Sequence, residues 1–395
     1  MTMKQQTILF LGDGMADEPL VELGNKTPLQ AAKTPNMDAI AARGRSGTML
    51  TLPAGFPTSS DVANMSVLGC DLATELCGRG PLEAASQGIK LGPNDIAFRM
   101  NLVSVDGDGI LRDFSGGHIA QQDAIEAIRL LNEKLGSDKI KFYPGVSYRN
   151  LLILSGPEFS ADIVYHKPDD NHGNPLMDRL PTAKTAAAEV TAATLRTLIV
   201  QAAEVLKGRE ANNIWPWSGG KAGAIHNICT KYNIRAAVIS AVDVINGLGA
   251  CMGMDVIKVP GATGYIDTNY EGKADAALQA LQDGYDFIYV HVEAIDEVSH
   301  AQDLKLKLQA IEDFDARLVG RVMAHAGSTV AYAVLPDHPV PLALGKHTRE
   351  PVPVSVSQPG VAPDGVQTFD EVAALTGSLG LLKGSDLMDL LLKRG

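Results

Sequence analysis

The sequence predicts an α/β protein, a mainly parallel sheet with helices on both faces, interrupted by a smaller inserted α+β domain. Three observations carry this. From Ile234 onward, short apolar runs alternate with helix-length segments, the pattern of parallel strands joined by crossover helices. Two other apolar runs, Thr7–Leu11 and Val330–Leu335, stop abruptly at Gly12-Asp13-Gly14 and Pro336-Asp337-His338. Buried strands that deliver polar side chains at their carboxyl ends read this way. Between them, the texture changes to hairpin-like pairs and longer helices. The main domain is therefore expected from residues 1–92 and 228–395, with residues 93–227 inserted.

The first strand is Thr7–Leu11, and the glycines around Asp13 permit backbone angles that a β-carbon would forbid. Thr34 followed by Pro35 reads as an N-cap and first-turn proline for a helix through Arg43. A strand at Gly47–Leu52 precedes a Pro/Gly loop, and Ser60-Asp61 stand where the next helix would begin. Gly78-Arg79-Gly80-Pro81 is a second loop-to-helix transition. Residues 86–95 read as the linker into the insertion. There Ile96–Val105, a Gly107-Asp108-Gly109 turn and Ile110–Phe114 form a hairpin. A helix over Ala120–Lys134 and strands near Ile140–Tyr143 and Asn150–Leu154 follow. One long helix is expected over Thr182–Gly208, with Trp215–Lys221 as the return linker. The main domain then resumes with a strand at Ala236–Ala241 and helices at Asp243–Leu248 and Ala274–Asp283. A strand at Phe287–Val292 and a helix at Leu304–Ala326 complete it.

At 395 residues the chain is long enough for two cores. Its 34 basic and 46 acidic side chains give a net charge of −12, which argues against nucleic acid or an anionic membrane as partner. A small anionic substrate is compatible, because local cations override the global sign. The four cysteines (Cys70, Cys77, Cys229, Cys251) include no tight CxxC pair. Reduced thiols and a cytoplasmic location are expected. The apolar run Ile8–Leu11 is too brief for a signal or spanning segment. The sequence carries no signal for oligomeric state.

Asp13, Asp337 and His338 come from two strand ends. A third strand, Phe287–Val292, is followed by Asp296 and His300, four residues apart and on one face if helical. His347 adds an imidazole from the loop before Pro351. Singly, each has a plain reading as a turn, surface or loop residue. Together, three Asp and three His converging on one sheet edge suit divalent ions, and six ligands suit two of them, which can clamp both oxygens in phosphoryl transfer. Ser60 at a helix start beside metal would be an activated nucleophile; otherwise it caps the helix. Arg79, Arg99, Arg149 and Lys221 are candidates for gripping phosphate or carboxylate. His118 and His172 are the notable imidazoles of the insertion.

These motifs as a set resemble the cofactor-independent (2,3-bisphosphoglycerate-independent) phosphoglycerate mutases, archaeal-type branch, of the alkaline phosphatase superfamily. The likeness runs through Gly12-Asp13-Gly14, Lys26–Asp38, Ser60–Asn64, Gly78–Ala84, Asp296…His300, Asp337-His338 and His347…Pro353. It implies an alkaline-phosphatase-like sheet and an inserted lid. Ser60 would be the phosphorylated nucleophile that exchanges the phosphoryl group between 3- and 2-phosphoglycerate. Asp13, Asp337 and His338, with Ser60, would hold one metal, and Asp296, His300 and His347 the other. Manganese is the expected ion, with zinc, cobalt and magnesium as alternatives. Leu335-Pro336-Asp337-His338-Pro339 departs from the commoner family pattern and looks like a subgroup proposed to act as homoserine kinase. An ATP-dependent kinase on the same scaffold is thus the alternative, followed by a metal-dependent phosphatase or an inactive metal-binding regulator.

Overall fold

The computed structural model describes residues 5–223 and 225–393. Contacts divide the chain into two units, one built from the residues up to Leu76 and from Ile225 onward, the other from Cys77–Ala224. Among the described residues no helix is long and apolar enough to cross a membrane.

The first unit opens with β1 (Thr7–Gly12), whose six residues are all buried. The helix Pro35–Ala42 follows, then β2 (Arg45–Met49) and the helices Ser60–Val67 and Leu72–Glu75. Thr34 does not cap the Pro35 helix. Asp315 accepts from the backbone N–H groups of Asn36 (3.1 Å) and Met37 (2.7 Å) instead. A carboxylate fixed by tertiary packing outcompetes the local hydroxyl for the unmatched first-turn donors.

The second unit begins with the helix Arg79–Ser86, which the sequence had grouped with the main domain. A side chain at Gly80 would lie 2.1 Å from the Ala97 carbonyl oxygen, so this helix sits against its own unit's sheet. That sheet comprises β3 (Asp95–Val105), β4 (Leu111–Asp113), β5 (Ile140–Val146), β6 (Arg149–Ser155) and, further on, β9 (Asn213–Lys221). A small separate pair joins β7 (Ile163–Val164) to β8 (Thr182–Ala183). Two expectations fail here. The helix expected from Thr182 begins only at Glu189 and runs to Val205, because Thr182 and Ala183 are taken up by β8. Trp215–Lys221 is no linker: Asn213–Lys221 is β9, antiparallel to β3. Its proline is tolerated because β9 pairs with β3 alone, and Trp215 and Trp217 are buried. The β3 residues Ile96, Phe98, Met100 and Leu102 pack into one core with the helices Gln121–Leu135 and Glu189–Val205.

Back in the first unit come β10 (Ala236–Ile239), β11 (Asp255–Val256), β12 (Phe287–Val292), β13 (Ala331–Leu335), β14 (Val352–Ser357) and β15 (Gly380–Leu382). The sheet order is β11-β10-β12-β1-β13-β14-β2-β15. The five strands from β11 to β13 are parallel, while β14 runs antiparallel to β13 and β2. On one face Ile8, Phe10, Ile288 and Val290 pack with the helices Tyr270–Gln282 and Leu304–Asp313. The expected helix Leu304–Ala326 carries a π-helical stretch at Phe314–Gly320, which is where Asp315 sits.

Lys307 anchors this architecture to the strand ends. Fully buried, it donates to Asp17 Oδ2 at 2.8 Å and to the Val340 carbonyl at 3.0 Å. It thereby ties the loop after β1 to the loop after β13. Lys307→Met would leave Asp17 buried without its counter-charge, which typically costs about 3–5 kcal/mol. Urea unfolding should show a lower midpoint at unchanged slope.

Candidate active site

Three neighbouring parallel strands present their carboxyl ends side by side. Gly12 of β1 registers with Val292 of β12, and Leu11 with Leu335 of β13. Asp13 follows β1, and its N–H donates to the Val292 carbonyl at 2.9 Å. Asp337 and His338 follow β13 by two and three residues. Asp296 and His300 lie on the helix Ala294–His300 directly after β12. Asp13, Asp296, Asp337 and His338 are buried. Only glycine fits at position 14, where φ is +63° and a Cβ would lie 2.7 Å from Asp296 Oδ1. Its N–H donates to Asp337 Oδ1 at 3.1 Å.

The donor atoms fall into two groups, Asp13 with Asp337 and His338, and Asp296 with His338 and His347. His338 Nε2 lies 3.3 Å from Asp13 Oδ1 and 3.4 Å from Asp337 Oδ2. His347 Nε2 lies 3.5 Å from Asp296 Oδ1, and the His338 and His347 rings stack at 3.8 Å. His300 Nε2 is 3.3 Å from Asp296 Oδ2 and 2.8 Å from His347 Nε2. All six residues named from the sequence thus meet at one place. His338 stands between the two groups rather than in one.

This donor set fits divalent cations. Asp13 Oδ1 and Asp296 Oδ1 are buried without hydrogen-bond partners, each facing an imidazole nitrogen. Burial, then the neighbouring Asp337 and Asp296 charges, holds the Asp13 carboxyl well above its ordinary range. Burial pushes Asp337 up to about 7 and His338 down to about 3. Asp13 and Asp337, pushed toward neutrality beside the deprotonated His338 ring, are acceptors awaiting a positive charge, and mixed oxygen and nitrogen ligation suits a hard-to-borderline ion.

Ser60 opens the helix Ser60–Val67, preceded by Ser59, and neither side chain caps it. Ser60 Oγ is instead 3.2 Å from His338 Nε2. Asn64, one turn on, donates to the Ser60 carbonyl at 2.8 Å and to Asp337 Oδ2 at 2.9 Å. Its own oxygen accepts from the buried Tyr289 hydroxyl. His291 Nε2 lies 3.0 Å from Asp13 Oδ2. Burial and then Lys273 push His291 down to about 3. With Asp13 ionised, the neutral ring donates to it from Nε2, which leaves Nδ1 to accept from Ser240 Oγ at 3.1 Å. Asn64, Tyr289 and His291 were missed as site residues. The signal was present: Tyr289 and His291 alternate with the core-facing Ile288 and Val290 on a strand with no exposed face.

The proposed anion grips lie in the second unit. Arg99, buried on β3, bonds Glu83, and the Arg79 and Arg99 guanidinium groups each sit 5.7 Å from the Trp217 ring centre. Burial holds Arg99 below its ordinary value despite Glu83. Arg149 stacks over Tyr148 at 5.1 Å, whereas Lys221 is exposed and pairs with Ile96, three residues along β3 from Arg99. His172 Nε2 contacts the Arg112 carbonyl on the exposed surface, and His118 holds a left-handed turn at φ +53°.

The metalloenzyme superfamily model matches residues 5–394. A Methanosarcina acetivorans protein named 2,3-bisphosphoglycerate-independent phosphoglycerate mutase is 46% identical, covering 98% of this chain and 99% of the relative. A Geobacter sulfurreducens relative, named as a probable enzyme of that kind, is 45% identical over 98% of this chain and 99% of its own. Among solved structures, a Pyrococcus horikoshii protein aligns at TM-score 0.83 and 27% identity, covering 99% and 97% of the two chains. The cofactor-independent phosphoglycerate mutase of Thermoplasma acidophilum aligns at 0.66 and 29% identity, covering 99% of both.

Two substitutions separate the donor groups. With divalent metal counted per chain after buffer exchange, His347→Ala should lose one ion selectively. His338→Ala should lose the ion held with Asp13 and Asp337 and keep the other. Loss of both ions in either variant would contradict that division. Removing the support behind a ligand, as in His291→Ala, should weaken manganese binding about 10- to 100-fold by calorimetric titration.

Proposed function

This chain belongs to the 2,3-bisphosphoglycerate-independent phosphoglycerate mutases of the metalloenzyme superfamily, and on that premise we propose that it interconverts 3- and 2-phosphoglycerate through a phosphoserine at Ser60. The observation that carries the serine assignment is its 3.2 Å approach to His338 Nε2, at the start of a helix it does not cap.

Ser60 Oγ would take the phosphoryl group from 3-phosphoglycerate, forming an O–P bond as the bond to the 3-oxygen breaks. The proton lost from the serine is balanced by one gained at the departing oxygen. The 2-hydroxyl of the same glycerate then takes the group back, and Ser60 recovers its proton. The helix N-terminus favours the negative phosphoryl group while it is held there. Asp13, Asp337 and His338 would hold one divalent ion and Asp296, His300 and His347 another, with manganese as the expected metal. Such ions, when bound, neutralise charge on the hydroxyl and phosphoryl oxygens, which is most of the catalytic task in phosphoryl transfer. Asn64 orients the serine and Asp337 together by bonding both.

In the second unit, Arg79 and Arg99 would bind the anionic substrate. The buried Nε atoms of both lack hydrogen-bond partners, which favours them over the exposed Lys221. Trp215–Lys221 offers no nucleotide-binding loop. Its glycines serve strand packing: a side chain at Gly219 would lie 2.1 Å from the Phe98 ring, and one at Gly220 1.7 Å from the Cys77 carbonyl oxygen.

In nucleotide-free buffer with manganese, the protein should convert 3- to 2-phosphoglycerate, and chelator should abolish the reaction. ATP with homoserine should give no phosphohomoserine above background; brisk reaction there, with none on phosphoglycerate, would replace the mutase reading with the kinase. Ser60→Ala should retain less than about a thousandth of the turnover, since losing a covalent nucleophile typically costs more than that. A phosphoryl adduct seen by intact-mass analysis should vanish with it.

A further inference from the structure

Two irregular segments of the first unit meet beside the metal-type ligands. Val352 at the start of β14 pairs with Met49 at the end of β2, so the chain entering β14 and the chain leaving β2 emerge together. The first of these segments carries His347. The second, residues 50–59, contains no helix or strand and leads to Ser60. Its beginning is anchored by the buried Leu52, but Ala54, Gly55 and Pro57 are exposed. Pro53 and Pro57 have no N–H, so the segment has few donors with which to tie itself down.

Arg349 supplies the donors from the neighbouring segment. Its Nη1 donates to the Pro53 carbonyl at 2.8 Å and, more distantly, to that of Leu52 at 3.4 Å. Its Nη2 donates to the Phe56 carbonyl at 2.6 Å. Three carbonyl dipoles turned toward one spot repel one another unless a cation sits among them. A guanidinium meets that need, because its rigid fork of charged donors bonds several oxygens in fixed directions. On the other side, the same stretch is fixed to the ligand cluster: Thr348 N–H donates to the carbonyl of Pro339, the residue after His338, at 3.1 Å. A surface arginine with no task is the plain alternative. The curl of residues 52–56 around its guanidinium argues against it.

We propose that Arg349 is a positioning residue: it holds the segment leading to Ser60 against the segment that carries His347, and so sets the approach of the serine hydroxyl to the imidazole cluster. This rests on the reading of Ser60 as the nucleophile. Arg349 acts through the main chain and touches neither metal ligand nor substrate. The first-turn start at Ser60 has no side-chain cap, so the placement of its hydroxyl depends on where the preceding segment delivers it. A single turn of irregular chain clamped at three carbonyls delivers it to one place. The segment of His347 does not depend on the clamp in return, being held by the Pro339 bond and by the pairing of β14.

The test uses the full chain with manganese and 3-phosphoglycerate. Arg349→Ala should lower kcat about 10- to 100-fold at unchanged KM, because a misplaced reacting group slows the chemical step without weakening substrate binding. Arg349→Lys keeps the charge but not the fork, and should stay close to Arg349→Ala. Divalent metal per chain should match the wild type in both. In protein labelled with fluorophenylalanine, the Phe56 resonance, assigned with Phe56→Leu, should move toward its unfolded position in Arg349→Ala. Unchanged kcat, a raised KM at unchanged kcat, full recovery in Arg349→Lys, lost metal or an unmoved Phe56 signal would each overturn the proposal. A wild type inert toward phosphoglycerate would instead sink the functional reading, and the fluorine signal would still decide whether Arg349 holds the segment. If Arg349→Ala fails to fold, Arg349→Lys carries both readouts.

Discussion

Everything at the sheet edge depends on three carboxylates held out of water within reach of one another. Two like charges about 4 Å apart repel by about 4 kcal/mol at an effective dielectric near 20. Asp13, Asp296 and Asp337 are buried as well, which adds the cost of lost hydration. Without cations the cheapest response is to take up protons, and Asp13 and Asp337 are indeed pushed upward. Asp296 goes the other way. Burial would raise it too, but the hydrogen bond from His300 and the charge on that ring, itself pushed up to about 9, hold it below its ordinary value. The acid-rich end and the imidazole-rich end of the cluster thus differ electrostatically, and His338 lies at their junction.

Such a cluster survives only on a rigid support. Adjacent parallel strands fix Asp13, Asp337 and the start of the Asp296 helix through backbone register, and only His347 comes from a loop away from these strand ends. Behind them, neutral groups carry the orientation. His291 and Ser240 hold Asp13, Asn64 and Tyr289 hold Asp337, and the Gly345 carbonyl takes the His300 Nδ1 at 2.9 Å. Lys307 pairs with Asp17 in the loop just past these ligands. A cation there, one turn of chain away from the acids, compensates Asp17 without competing for the metal ligands.

The parallel sheet, the gathering of the six candidate ligands and the position of Ser60 were legible because each leaves a local mark: an apolar run that stops at a polar residue, a four-residue spacing, a helix start. Failures came where tertiary contacts overrule local signals. Thr34 looks like a cap, yet Asp315, 281 positions further on, supplies the bonds. Trp215-Pro216-Trp217 reads as a linker because proline and glycines usually end strands, and only the edge position of β9 makes them acceptable. Thr182 continues a helical pattern but is captured by β8. Groups that orient ligands were the least visible. Asn64 is one polar residue on a helix, and nothing near it in sequence announces Asp337 or Tyr289.

The same reasoning explains why the serine belongs to the site rather than to the helix. Ser59 is the N-cap, where a hydroxyl would ordinarily accept from a first-turn N–H in a bond worth about 1 kcal/mol, and Ser60 is the first helical residue. Neither makes it. Asn64 instead binds the Ser60 carbonyl from one turn below and Asp337 from the side, so the helix start is fixed by the site's own network. With capping unneeded, the Ser60 hydroxyl is left to face His338 at 3.2 Å. The helix begins without a side-chain cap while its first residue presents a hydroxyl to the acid–imidazole cluster, the placement that the proposed nucleophilic role requires.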